Sequence, residues 1–508
     1  MIGAVFAVPT LSVFVRATTS GATSATWSRV AGPLWRTVQL GALVSATTAI
    51  VGTALAWLTV RSDLPLRRFW RVALVLPLVL PSFVGAGAFI AGLAPGGIVH
   101  DALGLVGIDA PRRFRGLGAS WLVLSAFTFP YVMLPVAARL SAVRPSHEES
   151  ATLLGASPAR VFLTVTLPEL RSSILGGALL VFLYSLSEFG AVQLLGFDTL
   201  TRVVYATRRD DQATSFAAAA ILLVVAVVVV AAERRLRGRA TPDRRASPTS
   251  ARPVPLGRFR LPASLLCAAV VSIGLVIPVA SLATWTRRGL SDGRLDLGAL
   301  VEPARNSATV GVLAAVVTVL VVLPIAVATT RRPHPVSTVA AGAVLGGFAV
   351  PGLVIALALA VIALNVTGLG WLYQSFALLI AGYVIHFGSQ ALASGEQAVR
   401  AVPQRVREQS RLLEANPLRR ALRIDLPMMR PGLLAGGGLV MLATVKELPA
   451  TLLLAPIGFS TLATDIWSGF GEGFYAATGL ASLVLISVSG TLTWLLVLRP
   501  TMRRTSRT

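Results

Sequence analysis

Cysteine and lysine each occur once in this chain of 508 residues, histidine occurs four times, and acidic residues number only 22. The one cysteine, Cys267, lies in an apolar run, which excludes an intramolecular disulfide and a thiolate metal cluster. The one lysine, Lys446, sits in Val445-Lys446-Glu447. A phosphate-binding loop needs its lysine directly after a glycine, so the chain carries no nucleotide-binding motif and is not itself an ATPase. His100, His147, His334 and His386 are scattered without ligand spacing, and each reads as a packed histidine with a satisfied ring nitrogen. No metal site can be assigned from them. Charged residues make up 13% against 55% apolar, far outside the soluble range, and this places the chain in a bilayer.

Twelve apolar runs have about the 17 to 25 residues that a helix needs to cross the hydrocarbon core. They lie near 2–15, 38–60, 72–93, 119–138, 174–195, 215–232, 262–285, 307–329, 338–364, 373–392, 432–455 and 478–498. With a cytoplasmic N-terminus, the loops on that side carry 31 arginines and those on the other side carry 13. That asymmetry follows the positive-inside rule and accounts for the net charge of +23 without nucleic acid. The expected fold is an all-α polytopic membrane protein of about twelve transmembrane helices, with both termini cytoplasmic.

The chain divides at 233–260, an Arg-, Pro- and Ser-rich stretch without apolar period that reads as a cytoplasmic linker. Residues 1–232 form a first transmembrane half and 261–508 a second. Six crossings in each give parallel repeats. Val8-Pro9 matches Ile277-Pro278 at an offset of 269, Arg36-Thr37 matches Arg305-Asn306 at 269, and Pro81 matches Pro351 at 270. The offset then falls to 259, because loop 94–118 is longer than loop 365–372. Pro9 lies much nearer the start of its helix than Pro278 does. The first helix therefore either begins upstream of Met1 or is a short tilted anchor.

The sharpest match is polar. Glu149-Ser150-Ala151, Gly155 and Leu167-Pro168 return as Glu408-Gln409-Ser410, Glu414 and Leu426-Pro427, all at offset 259. In the first copy Ser146 and Glu149 form a capping box, Gly155 suits a left-handed residue ending the helix, and Ser157-Pro158 supplies the next N-cap and N1. The second helix is expected to stop near Leu167-Pro168. The other copy keeps Asn416-Pro417 as N-cap and N1, but places Glu414 where glycine stood, so its turn takes a different shape.

Glu-x-Ala, three residues, Gly, eleven residues, Leu-Pro resembles the coupling loop of ATP-binding-cassette importer permeases. The resemblance implies that Glu149, Ser150, Ala151 and Gly155, with Glu408, Gln409, Ser410 and Glu414, contact a cytoplasmic ATPase, in two copies. It also implies an extracytoplasmic substrate-binding protein, a bacterial inner-membrane location, no cofactor on this chain, and ATP used by the partner. Lys446-Glu447-Leu448-Pro449-Ala450-Thr451, then Gly458-Phe459-Ser460-Thr461, with Ser187-Glu188-Phe189-Gly190 in the first half, resembles the fused permeases of iron(III) importers. Ferric iron ranks first, and thiamine, phosphonate, sulfate and molybdate remain alternatives.

Glu188 and Glu447 lie within apolar segments, where a carboxylate is costly. Two readings stand. Paired carboxylates suit a hard cation and would line its route, with Lys446 beside them. Alternatively each is structural, pairing with Lys446, capping a break at Pro449, or facing a wet cleft. Asp198, Asp210, Asp211, Asp465 and Glu472 fall in outer loops and either meet a binding protein or are simply solvated. An ion-coupled secondary transporter would share the twelve helices and buried acids but has no need of the duplicated loop. A membrane enzyme would need a catalytic constellation, and none is found.

Overall fold

The computed structural model describes all residues except 1, 22, 110, 112, 144–147, 149, 152, 238–252, 294, 332, 348–349, 414–415 and 496–508. Among the described residues there is no strand. The one extended pairing is an isolated bridge between Ser62 and Val254.

Among the described residues each of the twelve apolar runs is mainly helical, and nine helices are long and apolar enough to cross a bilayer: Ser24–Arg61, Gly116–Ala142, Phe162–Ser187, Gln212–Glu233, Gly257–Ser291, Gly298–Arg331, Phe376–Arg400, Leu418–Val445 and Tyr475–Thr493. The run near 72–93 is a broken pair, Arg67–Val79 and Ser82–Leu93, bent by 94°. The cause is Pro81, which precedes the second arm with an extended ψ of 144° and cannot continue a helical hydrogen-bond ladder. Its repeat partner Pro351 has a ψ of 136° and opens Gly352–Asn365, behind the separate helix Pro335–Gly346. The run near 338–364 is thus two short helices rather than one span. The opening run is the 18-residue helix Ile2–Thr19.

Packing divides the chain differently from the repeat. One compact unit comprises 1–30, 203–223 and 289–508, and the other 31–202 and 224–288. In the first, Gly298–Arg331, Phe376–Arg400 and Leu426–Val445 form the central cluster. Gly432 and Gly436, four apart on one helix, face Ala398 and Ser394, four apart on the next. A Cβ on either glycine would lie 2.7 Å from the facing Cβ. Small residues at this spacing let two membrane helices approach to backbone contact, where dispersion and not hydrophobicity holds them. The opening helix Ile2–Thr19 packs in the same unit, with Phe6 fully buried and Gly3 against Ala340.

The other unit gathers most of the first repeat and adds the helix that opens the second. Gly274 of the Gly257–Ser291 span is seated against Ala126 and Pro77, the Trp285 indole donates to the Ala91 carbonyl at 2.9 Å, and Arg288 donates to the Gly96 carbonyl. Each repeat therefore lends its first helix to the unit built mainly from the other repeat.

Candidate functional site

Two kinds of site follow from the sequence: the duplicated polar loops and the two buried glutamates. In the first loop, Ser150 and Ala151 are helical and their carbonyls accept from Leu154 and Ala156. Gly155 adopts φ +83°, the left-handed conformation expected of it, and the space where its Cβ would stand is open. Leu153 and Leu154 are each 88% exposed and form an apolar tip. Ser157 caps the next turn through its side chain to Arg160 N–H at 3.4 Å. Glu149, with the Ser146 capping box and His147, lies outside the described residues, as does Glu414.

The second loop carries Glu408 and Gln409 exposed and Ser410 buried on the helix Gln404–Leu413. Glu408 accepts from Gln404 at 2.8 Å. Asn416 caps as expected, its Oδ1 accepting from Leu418 and Arg419 N–H at 2.9 and 3.3 Å.

The helix after each cap does not stop at Leu-Pro. Pro158–Val161 runs through a π-helical turn, Phe162–Thr166, into Leu167–Ser187, and Pro417–Arg420 runs through Ala421–Asp425 into Leu426–Val445. A proline clashes with the carbonyl four residues back and has no N–H to give it. Widening that turn by one residue removes the clash and lets the helix go on. Ile277-Pro278 behaves identically, following the π-turn Ser272–Val276.

Glu188 and Glu447 do not sit inside continuous helices. The fifth span ends at Ser187 and restarts as Gly190–Leu194, and the eleventh ends at Val445 and restarts as Pro449–Leu454. Each carboxylate bridges its break: Glu188 Oε1 accepts from Ala191 N–H at 2.9 Å and Glu447 Oε1 from Ala450 N–H at 3.1 Å. Each carboxyl group thus reaches from the residue before the N-cap to the second amide of the short helix and satisfies one of its free N–H groups. Main-chain carbonyls are held too, Glu188 O by Thr201 at 2.7 Å and Glu447 O by Thr451 at 2.8 Å.

The second oxygen distinguishes the two. Glu188 Oε2 accepts from Ser82 Oγ at 2.7 Å, and Ser82 in turn accepts from Tyr184 at 3.0 Å. Glu447 Oε2 lies 3.9 Å from His386 Nε2, and Gly352 stands where Ser82 stands in the first repeat. A Cβ at Gly352 would come within 2.9 Å of the Glu447 carboxyl group and 3.2 Å of the His386 ring, so a side chain there would push those two groups aside. In both repeats the carboxylate thus also meets the first turn of the helix that follows the proline bend.

Comparison with known proteins shows where this arrangement belongs. The family model for the inner membrane component of binding-protein-dependent transport systems matches twice, over residues 41–240 and 320–504, together more than half the chain. The chain belongs to that family. The two matches contain both polar loops and both bridging glutamates of this permease, so the sequence repeat is a repeat of the family unit. A Fe(3+)-transport system permease protein, FbpB 2, of Haemophilus influenzae is 28% identical over 96% of this chain and 95% of its own length. The molybdenum transport system permease protein ModB of Escherichia coli is 33% identical over 31% of this chain and 70% of its own length. The sulfate transport system permease protein CysT of Salmonella typhimurium is 32% identical over 33% of this chain and 61% of its own length.

Several residues that the sequence singled out take other roles in the permease. Asp198 is tied to Arg36 at 3.2 Å and Arg202 at 2.6 Å, and Asp211 to Arg29 at 2.6 Å. Thr214 donates to Asp211 through both hydroxyl and amide and, with Arg29, holds its carboxyl below the usual aspartate range. His334 caps Pro335–Gly346 through its ring. His386 departs from the expectation of a satisfied ring, since its Nδ1 is buried and meets no hydrogen-bond partner among the described residues. Lys446 ends the Leu426–Val445 helix, its N–H given to Ala443. Among the described residues no three His, Cys, Asp or Glu side chains converge to hold a metal.

Ser82 and the arginines Arg61 and Arg331 escaped the motif search. The repeat offset carries the missing signal: Arg61 and Arg331 are 270 apart, as Pro81 and Pro351 are.

Proposed function

We propose that this chain is the transmembrane permease subunit of an ATP-driven importer for ferric iron, fused from two permease halves, 1–232 and 261–508, through the linker 233–260. The carrying observation is coverage. The match to the Fe(3+) permease runs through nearly all of both chains, whereas those to the molybdenum and sulfate permeases span about a third of this one.

In this reading both polar loops and both termini face the cytoplasm of a bacterial cell. Ser150, Ala151 and the left-handed turn at Gly155, together with Glu149, form one ATPase contact, and Glu408, Gln409, Ser410 and Glu414 form the other. The exposed Leu153 and Leu154 suit burial in a cleft of a partner subunit. ATP is bound and hydrolysed by two copies of that subunit, and iron arrives on an extracytoplasmic binding protein. The permease itself holds no cofactor. Glu188 and Glu447, with Lys446 beside the latter, enter as fasteners of the broken spans and not as ligands of the cargo.

Reconstitution tests this. Liposomes holding the chain and its ATPase should show ATP hydrolysis stimulated by iron-loaded binding protein, and not by binding proteins loaded with thiamine, phosphonate, sulfate or molybdate. Stimulation by another cargo would discard iron, and failure to bind any ATPase would discard the importer.

A further inference from the structure

An arginine ends the second helix of each repeat, buried in the first and half-buried in the second, and each reaches the base of its polar loop. Arg61, 6% exposed, closes Ser24–Arg61; its Nη2 lies 3.5 Å from Glu148 Oε1 and donates to the Val143 carbonyl at 3.3 Å. Glu148 Oε1 also accepts from Thr166 Oγ1 at 2.9 Å. Arg331 closes Val301–Arg331, and its Nη1 lies 2.8 Å from Oδ2 of Asp425, which is 6% exposed. Thr166 and Asp425 are the last residues of the two π-turns and stand at offset 259, so they are the same position of the repeat.

One partner of each contact, Arg61 in the first repeat and Asp425 in the second, is buried, which makes the contacts costly and therefore informative. A guanidinium taken out of water is stabilised only by well-made partners, and a surface arginine would serve as well for topology. The same two positions are joined in both repeats by different chemistry: a Glu148 relay to Thr166 in one, a direct Asp425 pair in the other. What is kept is the mechanical link between helix end and loop base. The loop already joins the fifth span directly through the continuous π-turn, so the arginine adds a second attachment, to the second helix.

We propose that Arg61 and Arg331 are positioning residues that carry displacement of each polar loop into the second helix of its repeat, so that both helices move when the loop is pushed. This rests on the ATPase-coupled reading of the loops. A second attachment transmits displacement of the loop to the second helix, whereas a loop attached through one helix alone would hinge at its widened turn.

The test uses the full chain in liposomes with its ATPase and iron-loaded binding protein, measuring iron taken up per ATP hydrolysed. Arg331→Gln and Asp425→Asn should each lower that ratio about tenfold, in the range of ordinary coupling energies, while ATP hydrolysis continues. The exchanged pair, Arg331→Asp with Asp425→Arg, should restore most of it, a rescue that loss of fold would not permit. Arg61→Gln should act in the same direction in the first repeat, and Arg61→Lys, which keeps a donor to Glu148, should be milder. Single variants with the wild-type ratio, or an exchanged pair no better than the singles while Arg331→Lys matches wild type, would overturn the strut. Failure of the wild-type chain to engage the ATPase would overturn the reading beneath it.

Discussion

A carboxylate in a membrane-spanning segment invites a ligand role, and here two of them bridge broken helices. The geometry predicts how each will respond to change. Ser82→Ala removes the hydroxyl that donates to Glu188 Oε2 and accepts from Tyr184. It should lower stability by about 1.5 to 3 kcal/mol, read as a fall in the thermal midpoint of the detergent-solubilised chain. Glu188→Gln keeps the acceptor for Ala191 N–H and should cost less than Glu188→Ala, which leaves that amide uncapped.

Asp63 shows a different device outside the spans. It accepts from Arg260 and from the Leu256 amide at 2.8 Å, clasping the last residues of the linker onto the end of the second helix. The Arg260 hydrogen bond first, and then the Leu256 amide, hold its carboxyl below the usual aspartate range. A depressed carboxylate stabilises the fold fully above its unfolded value, about 3.9, and loses that contribution as pH falls through the lower folded value. Protection of the Leu256 amide from hydrogen exchange should therefore be level through neutral pH and fall only in acid below about 4. Asp63→Asn should show reduced protection at every pH.

At the scale of elements, the first polar loop is a helix, a left-handed turn at Gly155 and a capped second helix that continues through a π-turn into a span. The sequence made the cap, the turn glycine and the duplication legible because each depends on residues within a few positions. It misled on the continuation. Leu-Pro read as a stop, since proline breaks an α-helix, yet a π-turn absorbs it in three places. The broken fifth and eleventh spans were half legible: Pro449 marked one break, but the other has only Glu188 and Gly190, within an otherwise unbroken apolar run. With open space around Gly155, substitution there acts through the backbone alone. Gly155→Ala should weaken the turn by about 1 to 2 kcal/mol, and Gly155→Asn by less, because asparagine tolerates the left-handed region. Iron uptake by the reconstituted importer should follow that order, with ATPase binding assayed in parallel.

Across the whole molecule, twelve apolar runs, the duplication and the family were all present in the sequence, because membrane crossing and repeat are written in composition and spacing. The contacts of the opening helices were not. Gly3 meets Ala340, and Trp285 meets Ala91, pairs so far apart in sequence that no local pattern connects them. The consequence is testable by cutting the chain within 238–252. Neither fragment contains a finished unit, so each produced alone should be degraded, whereas the two produced together should be recovered as one complex by affinity purification of either.

The exchange of opening helices also sets a schedule for synthesis. Gly3 emerges 337 residues before Ala340. At about 5 to 20 residues per second, the first helix spends roughly 20 to 70 s in the membrane before its neighbour has been made. The apolar face that Phe6 will bury must meanwhile be covered by lipid or by the insertion machinery. Maturation of this permease is therefore paced by translation of its second half, and a ribosome stalled in the linker would leave the first helix waiting for a seat that never arrives.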